Sequence, residues 1–323
     1  ESHIVNPVQK AIYDTRSTIH ESFIGTFHSF CARILKREAK LVGRSQNYTI
    51  FDNDDSMSLL KKVMKALDVS KEQYSPMALH SKISKIKSEL LEPEEFDKTA
   101  ALVFKKYESE LLKNNAFDFD DLIEKVVRIF QRHPEVLEQY QNQFRHILVD
   151  EYQDINTAQY QLIKLLAGKH QNLSVVGDDQ QAIYSFRGAD FRNFLNFSND
   201  WPKAKIVKLE QNYRSTGTII TAASAVIQNN KLQTPKTLWT ENPAGELIKV
   251  VKTSDPTGEA DFIANKIRTM TMTNNDNKNG DISGHSHSYG HRDSVAVLYR
   301  TNAQSRAIEQ ALISADIAYK IFG

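Results

Sequence analysis

Apolar positions recur along this chain at two spacings, and the switches between them outline its organisation. Residues 23–27 read as a short strand, and residues 29–40 as a helix with Phe30, Ile34 and Leu35 on one face. From 54 to 114 the pattern is helical and Lys-rich, with Leu59, Leu60, Val63, Met64 and Leu67 in one segment and Ile83, Ile86 and Leu90 in another. Strand-like patterning returns only afterwards, so this stretch reads as an all-helical insertion into an α/β domain. A helix over 120–130 aligns Ile123, Val126, Val127 and Phe130, and Pro134 suits the first position of the next.

Two compact apolar runs follow, 146–149 and 173–176, and each discharges polar residues at its C-terminal end: Asp150-Glu151-Tyr152-Gln153-Asp154 and Gly177-Asp178-Asp179-Gln180-Gln181. Parallel α/β sheets bind ligands beyond those strand ends. Further strands are predicted at 205–209, 247–251 and 295–299, with helices running to 227, over 259–270 and over 304–314. Residues 271–292, rich in Asn, Gly, Ser and His, read as a loop. Its His285, His287 and His291 lack acidic or cysteine partners in a fixed scaffold, which disfavours a metal site.

At 323 residues the chain is long enough for two packed domains. A formal net charge of +1 argues neither for nor against a nucleic-acid partner, so any such site must come from local placement. Cys31 is the only cysteine, which excludes an intrachain disulfide and fits a reducing cytoplasm. No apolar run is long enough for a membrane span.

An apolar strand running into Asp-Glu is the Walker B arrangement, in which Asp150 would hold Mg²⁺ and Glu151 would orient an attacking water. Paired acids at that point can also simply cap the next helix. The wider text is more specific. Ile147-Leu148-Val149-Asp150-Glu151-Tyr152-Gln153-Asp154 resembles motif II of the UvrD, Rep and PcrA-like superfamily-one DNA helicases. Residues 176–189, with Gln180-Gln181-Ala182-Ile183-Tyr184-Ser185-Phe186-Arg187-Gly188, resemble their motif III, and residues 209–216, with Asn212-Tyr213-Arg214-Ser215, their motif IV. Gly25-Thr26-Phe27-His28-Ser29-Phe30 resembles motif Ib, residues 117–122 the segment before motif II, and residues 299–306 motif IVa.

The resemblance implies a RecA-like parallel-sheet motor domain from 1–45 and 115–208, the helical insertion at 46–114, and part of a second RecA-like domain at 209–323. It implies ATP and Mg²⁺ as cofactors. Gln181 would sense the γ-phosphate, Arg214 stabilise transferring charge, and Tyr213 stack on adenine. Tyr184, Phe186 and Arg187 would grip single-stranded DNA by stacking and charge, and Thr26, His28, Arg300 and Asn302 would contact its backbone. The family commonly has tryptophan where Phe186 stands, which makes the stacking surface smaller. Single-stranded DNA and its junctions with duplex are the implied partners, with 3′ to 5′ tracking.

One expected part is missing from the text. A phosphate-cradling loop reads Gly-x-x-x-x-Gly-Lys-Ser/Thr, but the single Gly-Lys pair, Gly168-Lys169, is followed by His170 and preceded five positions earlier by Ile163. Residues 1–22 do not resemble the strand, loop and helix that carry it, and motifs V and VI do not occur. The expectation is a helicase motor whose isolated 323-residue chain hydrolyses ATP poorly or not at all. The alternatives are a single-strand-binding module without catalysis and the helicase part of a helicase-nuclease.

Overall fold

The structure is a computed structural model that describes residues 22–70, 72–185, 188–276 and 294–322. Helix α1 (Phe27–Glu38) begins at a Thr26 cap, whose hydroxyl accepts the Ser29 N–H at 3.2 Å. Strand β1 (Thr49–Phe51) leads to α2 (Asn53–Ala66), α3 (Pro76–Ser88) and α4 (Lys98–Lys113), after which β2 (Ala116–Asp118) pairs in parallel with β1. Asp52 and Asp97 cap α2 and α4 by accepting backbone N–H groups three residues on, satisfying donors that a helix start otherwise leaves open. Leu59, Leu60, Val63, Met64, Ile83, Val103, Tyr107 and Leu111 form the core of this helical group.

Helix α5 (Phe119–Arg132) starts in a capping box between Asp118 and Asp121, and Pro134 opens α6 (Pro134–Gln143). Strand β3 (Ile147–Val149), α7 (Thr157–Ala167) and β4 (Leu173–Val175) follow, with β3 and β4 parallel and Val149 opposite Val175. Helices α1, α5, α6 and α7 share a core of Cys31, Ile34, Leu35, Val126, Val127, Phe130, Tyr140 and Leu162. A smaller cluster, Val149, Tyr152, Ile155, Tyr160 and Ile163, lies along β3 and α7.

The helical and strand-bearing parts are joined by buried charges. Lys87 of α3, fully buried, sits 2.7 Å from Glu108 of α4, 2.7 Å from Asp118 and 2.8 Å from Asp121 of α5. Lys125 adds contacts of 2.6 Å to Glu108 and 3.2 Å to Asp121. A charge removed from water is tolerated when opposite charges and hydrogen bonds surround it, which is the case here.

The chain divides into two compact units, Glu1–Asn212 with Ala222–Trp239 and Tyr213–Thr221 with Thr240–Gly323. Helix α8 (Gly217–Ile227) begins in the second unit, where α9 (Pro256–Asp276) packs Ala260, Ala264 and Ile267 against Ala311 and Leu312 of α10 (Ser305–Ser314). Small residues let the two helices approach closely.

Several expectations are corrected. Residues 23–27 form no strand: Phe23 turns back onto Phe30 with ring centroids 5.2 Å apart, Thr26 caps the helix, and α1 starts at Phe27. Residues 205–209, 247–251 and 295–299 form no paired strands. Propensity makes a chain extended, but only a neighbouring strand makes it a ladder. The predicted loop at 271–292 is helical to Asp276, and the rest of it, with His285, His287 and His291, lies outside the described residues. No described helix is long and apolar enough to cross a membrane.

Candidate functional site

The tips of β3 and β4 are stitched together beyond their last paired residues. Val176 donates its N–H to the Val149 carbonyl at 2.8 Å, and Tyr152 donates to the Val176 carbonyl at 3.0 Å. The two polar turns therefore lie side by side. Asp150 is exposed and accepts the Glu151 N–H at 3.0 Å. Glu151 has φ 50°, a left-handed conformation unusual for a residue with a Cβ. Its carboxylate is held by Gln153, whose Nε2 donates to Glu151 Oε2 at 2.7 Å.

Gln153 reaches the other turn as well, because its Oε1 accepts the Asp178 N–H at 2.9 Å. Gly177 makes this approach possible: a Cβ there would lie 2.6 Å from Gln153 Oε1 and 3.2 Å from the Tyr152 nitrogen. Asp178 in turn accepts from Gln181 Nε2 at 2.8 Å and pairs with Lys236. Burial alone would raise the Asp178 carboxyl, but hydrogen bonds from Lys236 and Gln181 outweigh it and hold it below the usual carboxylate range. The structure thus brings Asp150, Glu151 and Gln181 to one strand-tip surface, connected through Gln153 and Asp178. Asp154, beside them, is raised by burial and by the Glu151 charge.

Asp150 offers an exposed carboxylate with one oxygen turned to its own turn. A single such acid suits Mg²⁺, which keeps several waters and takes its remaining ligands from phosphate oxygens. No cluster of three or more potential metal ligands occurs among the described residues.

The remaining candidates are distributed. Thr26 is exposed and caps α1 by accepting the Ser29 N–H. His28 is half-buried and meets Phe119 edge-on at 5.9 Å; burial lowers its pKa, with Asp120 opposing, so its contacts are those of a neutral imidazole. Tyr184 is exposed, while Phe186 and Arg187 lie outside the described residues. Tyr213 and Arg214 are exposed in the second unit. Asn242 Nδ2 donates to the Tyr213 carbonyl at 3.2 Å and the Ser215 carbonyl at 3.0 Å, which fixes their backbone. Arg300 and Asn302 are exposed on the turn before α10, where Gln304 Oε1 accepts the Arg300 and Thr301 N–H groups.

Sequence reasoning missed three participants. Gln153 stood inside a quoted motif, and its amide two residues after Glu151 was the available signal. Lys236 carried no signal, since only folding brings it to Asp178. Phe119 opens α5 with half of its surface exposed beside His28, and only folding brings this ring to a motif Ib residue.

Residues 3–202 match the UvrD/REP helicase N-terminal domain and residues 207–323 the UvrD-like helicase C-terminal domain. The chain is similar to the ATP-dependent DNA helicase PcrA of Bacillus subtilis (strain 168), 45% identical over 93% of this chain and 40% of that protein. PcrA of Staphylococcus aureus (strain Mu50) is 43% identical over 98% of the chain and 42% of its own length. The chain therefore spans about two fifths of the length of the curated relatives it matches. With both domain models matched in order along its length, the chain belongs to the UvrD/Rep helicase family.

Proposed function

We propose that this chain forms Walker B and strand-gripping parts of an ATP-driven DNA helicase that tracks 3′ to 5′ on single-stranded DNA. The observation that carries the reading is the hydrogen-bonded line from Glu151 through Gln153 and Asp178 to Gln181, which sets a carboxylate and an amide at adjoining strand tips as phosphoryl transfer requires. In this reading residues 1–45 with 115–208 and residues 209–323 are RecA-like, with 46–114 as the helical insertion.

Asp150 would hold Mg²⁺, and Mg²⁺ bound with ATP would neutralise charge on the phosphates. Glu151 orients the attacking water and accepts its proton, Gln181 donates to the γ-phosphate, and the Arg214 guanidinium offsets charge on the transferring group. Tyr213 presents an exposed ring for adenine. Tyr184, Phe186 and Arg187 hold the strand through base faces and charge, and we add Phe119 to that set because its exposed ring stands against His28. Thr26, His28, Arg300 and Asn302 contact phosphates as hydrogen-bond donors or, for arginine, as a charge. Junctions of single and double strand are the proposed substrates and the cytoplasm the proposed compartment.

The test is DNA-stimulated ATP hydrolysis by the full-length gene product that carries this chain, compared with its Glu151→Gln variant. Turnover should fall by at least about 100-fold while ATP still binds. Equal turnover in the two would refute the assignment. A second reading, a binding module without hydrolysis, is separated from this one by how its affinities respond to ATP. It expects strand affinity that ignores ATP, whereas the motor reading expects the two affinities to be coupled.

A further inference from the structure

Gln153 is 1% exposed, and a primary amide taken out of water must satisfy its donors and acceptor inside the protein. It does so with two groups from different strand tips. Oε1 takes the Asp178 N–H at 2.9 Å and Nε2 gives a hydrogen to Glu151 Oε2 at 2.7 Å. These partners fix which end is which, because a backbone N–H cannot accept and a carboxylate cannot donate. Glu151 itself is exposed and sits in a left-handed turn, so the amide is the group that restrains its side chain. On the far side, the residue whose N–H is captured is the same Asp178 whose carboxylate accepts from Gln181. The absence of a side chain at Gly177 is what lets the amide lie across the gap.

We propose that Gln153 is a positioning residue, a buried amide that sets the Glu151 carboxylate against Gln181 and carries a shift of either turn to the other. The inference rests on the reading of the strand tips as an ATP site. It predicts that Gln153 contributes to the chemical step without touching the nucleotide. Gln153→Glu separates the two bonds: the new carboxylate still accepts the Asp178 N–H, but it repels Glu151 where the amide had held it.

The experiment is steady-state, DNA-stimulated ATP hydrolysis by the full-length gene product, its Gln153→Glu variant and a Gln153→Met variant that keeps side-chain length and loses both bonds. Each is compared at matched folded fraction by near-ultraviolet circular dichroism. The expected result is a kcat lower by about 10- to 100-fold in both variants, with KM for ATP changed by less than about twofold, since misplaced catalytic groups lose rate rather than binding. A kcat equal to the parent's in either folded variant, or kcat and KM moving together, overturns the proposal. If neither variant folds, Gln153 is architectural and the proposal is likewise overturned. A parent that turns over no ATP sinks the nucleotide reading itself, an outcome distinct from an active parent with indifferent variants.

Discussion

Asp120 acts on two half-buried histidines at once. Burial lowers the pKa of both His28 and His80, and the Asp120 charge opposes that fall in each; Lys87 adds a further lowering at His80. Both imidazoles are therefore biased toward the neutral form. Asp120→Asn should lower both titration midpoints further, read by NMR of the ring protons; midpoints that stay put or rise would contradict this electrostatic account. Gly177 gives a second residue-scale prediction. A methyl group there meets Gln153 Oε1 at 2.6 Å and a Phe194 ring carbon at 2.8 Å, so Gly177→Ala should destabilise by about 1–3 kcal/mol in urea unfolding. A change below about 0.5 kcal/mol would mean that the two turns can separate freely. Of the site, the strand-end acids and Gln181 were legible because a short local motif holds them. Lys236 was not, because its pairing with Asp178 spans a long stretch of chain.

At the scale of elements, α3, α4 and α5 are tied by the buried charges around Lys87. Lys87→Met leaves Glu108, Asp118 and Asp121 short of their shared cation, and should cost about 3–5 kcal/mol by chemical denaturation. Asp118 adds a pH signature. Burial, followed by the neighbouring Asp121 charge, pushes its carboxyl up to about 6, above the value of an unfolded chain. A carboxyl raised on folding contributes stability that is complete below its unfolded pKa and lost as pH rises through the folded one. Asp118→Asn should therefore gain stability relative to the parent as pH rises from about 4 to about 6. Urea midpoints that run parallel across that window would contradict it. Helices were the most legible elements, since their caps and apolar faces are local: Asp118 with Asp121 starts α5, and Pro134 starts α6. The runs predicted at 146–149 and 173–176 form strands over 147–149 and 173–175 because each meets its partner. Residues 205–209, 247–251 and 295–299 have the same β-type composition without one, and they form no ladder.

Across the whole molecule, those three segments leave apolar side chains in water, with Val250 95% and Leu298 89% exposed. Exposed apolar runs drive association, so Val250→Lys should raise solubility while changing unfolding free energy by less than about 0.5 kcal/mol. A clear loss of stability would show that Val250 is packed. The order of the motifs, the acids at two strand ends and the periodicity of the helices were determined by sequence alone, because each depends on residues within one or two turns of chain. Tertiary structure decided the rest. It brought Gln153 across to Asp178 and Lys236 onto the same carboxylate, gathered three carboxylates around Lys87, and left the apolar runs at 205–209, 247–251 and 295–299 unpaired. These outcomes turn on which groups meet after chain closure and on how far each is removed from water, and neither is a property of any residue's neighbours in sequence.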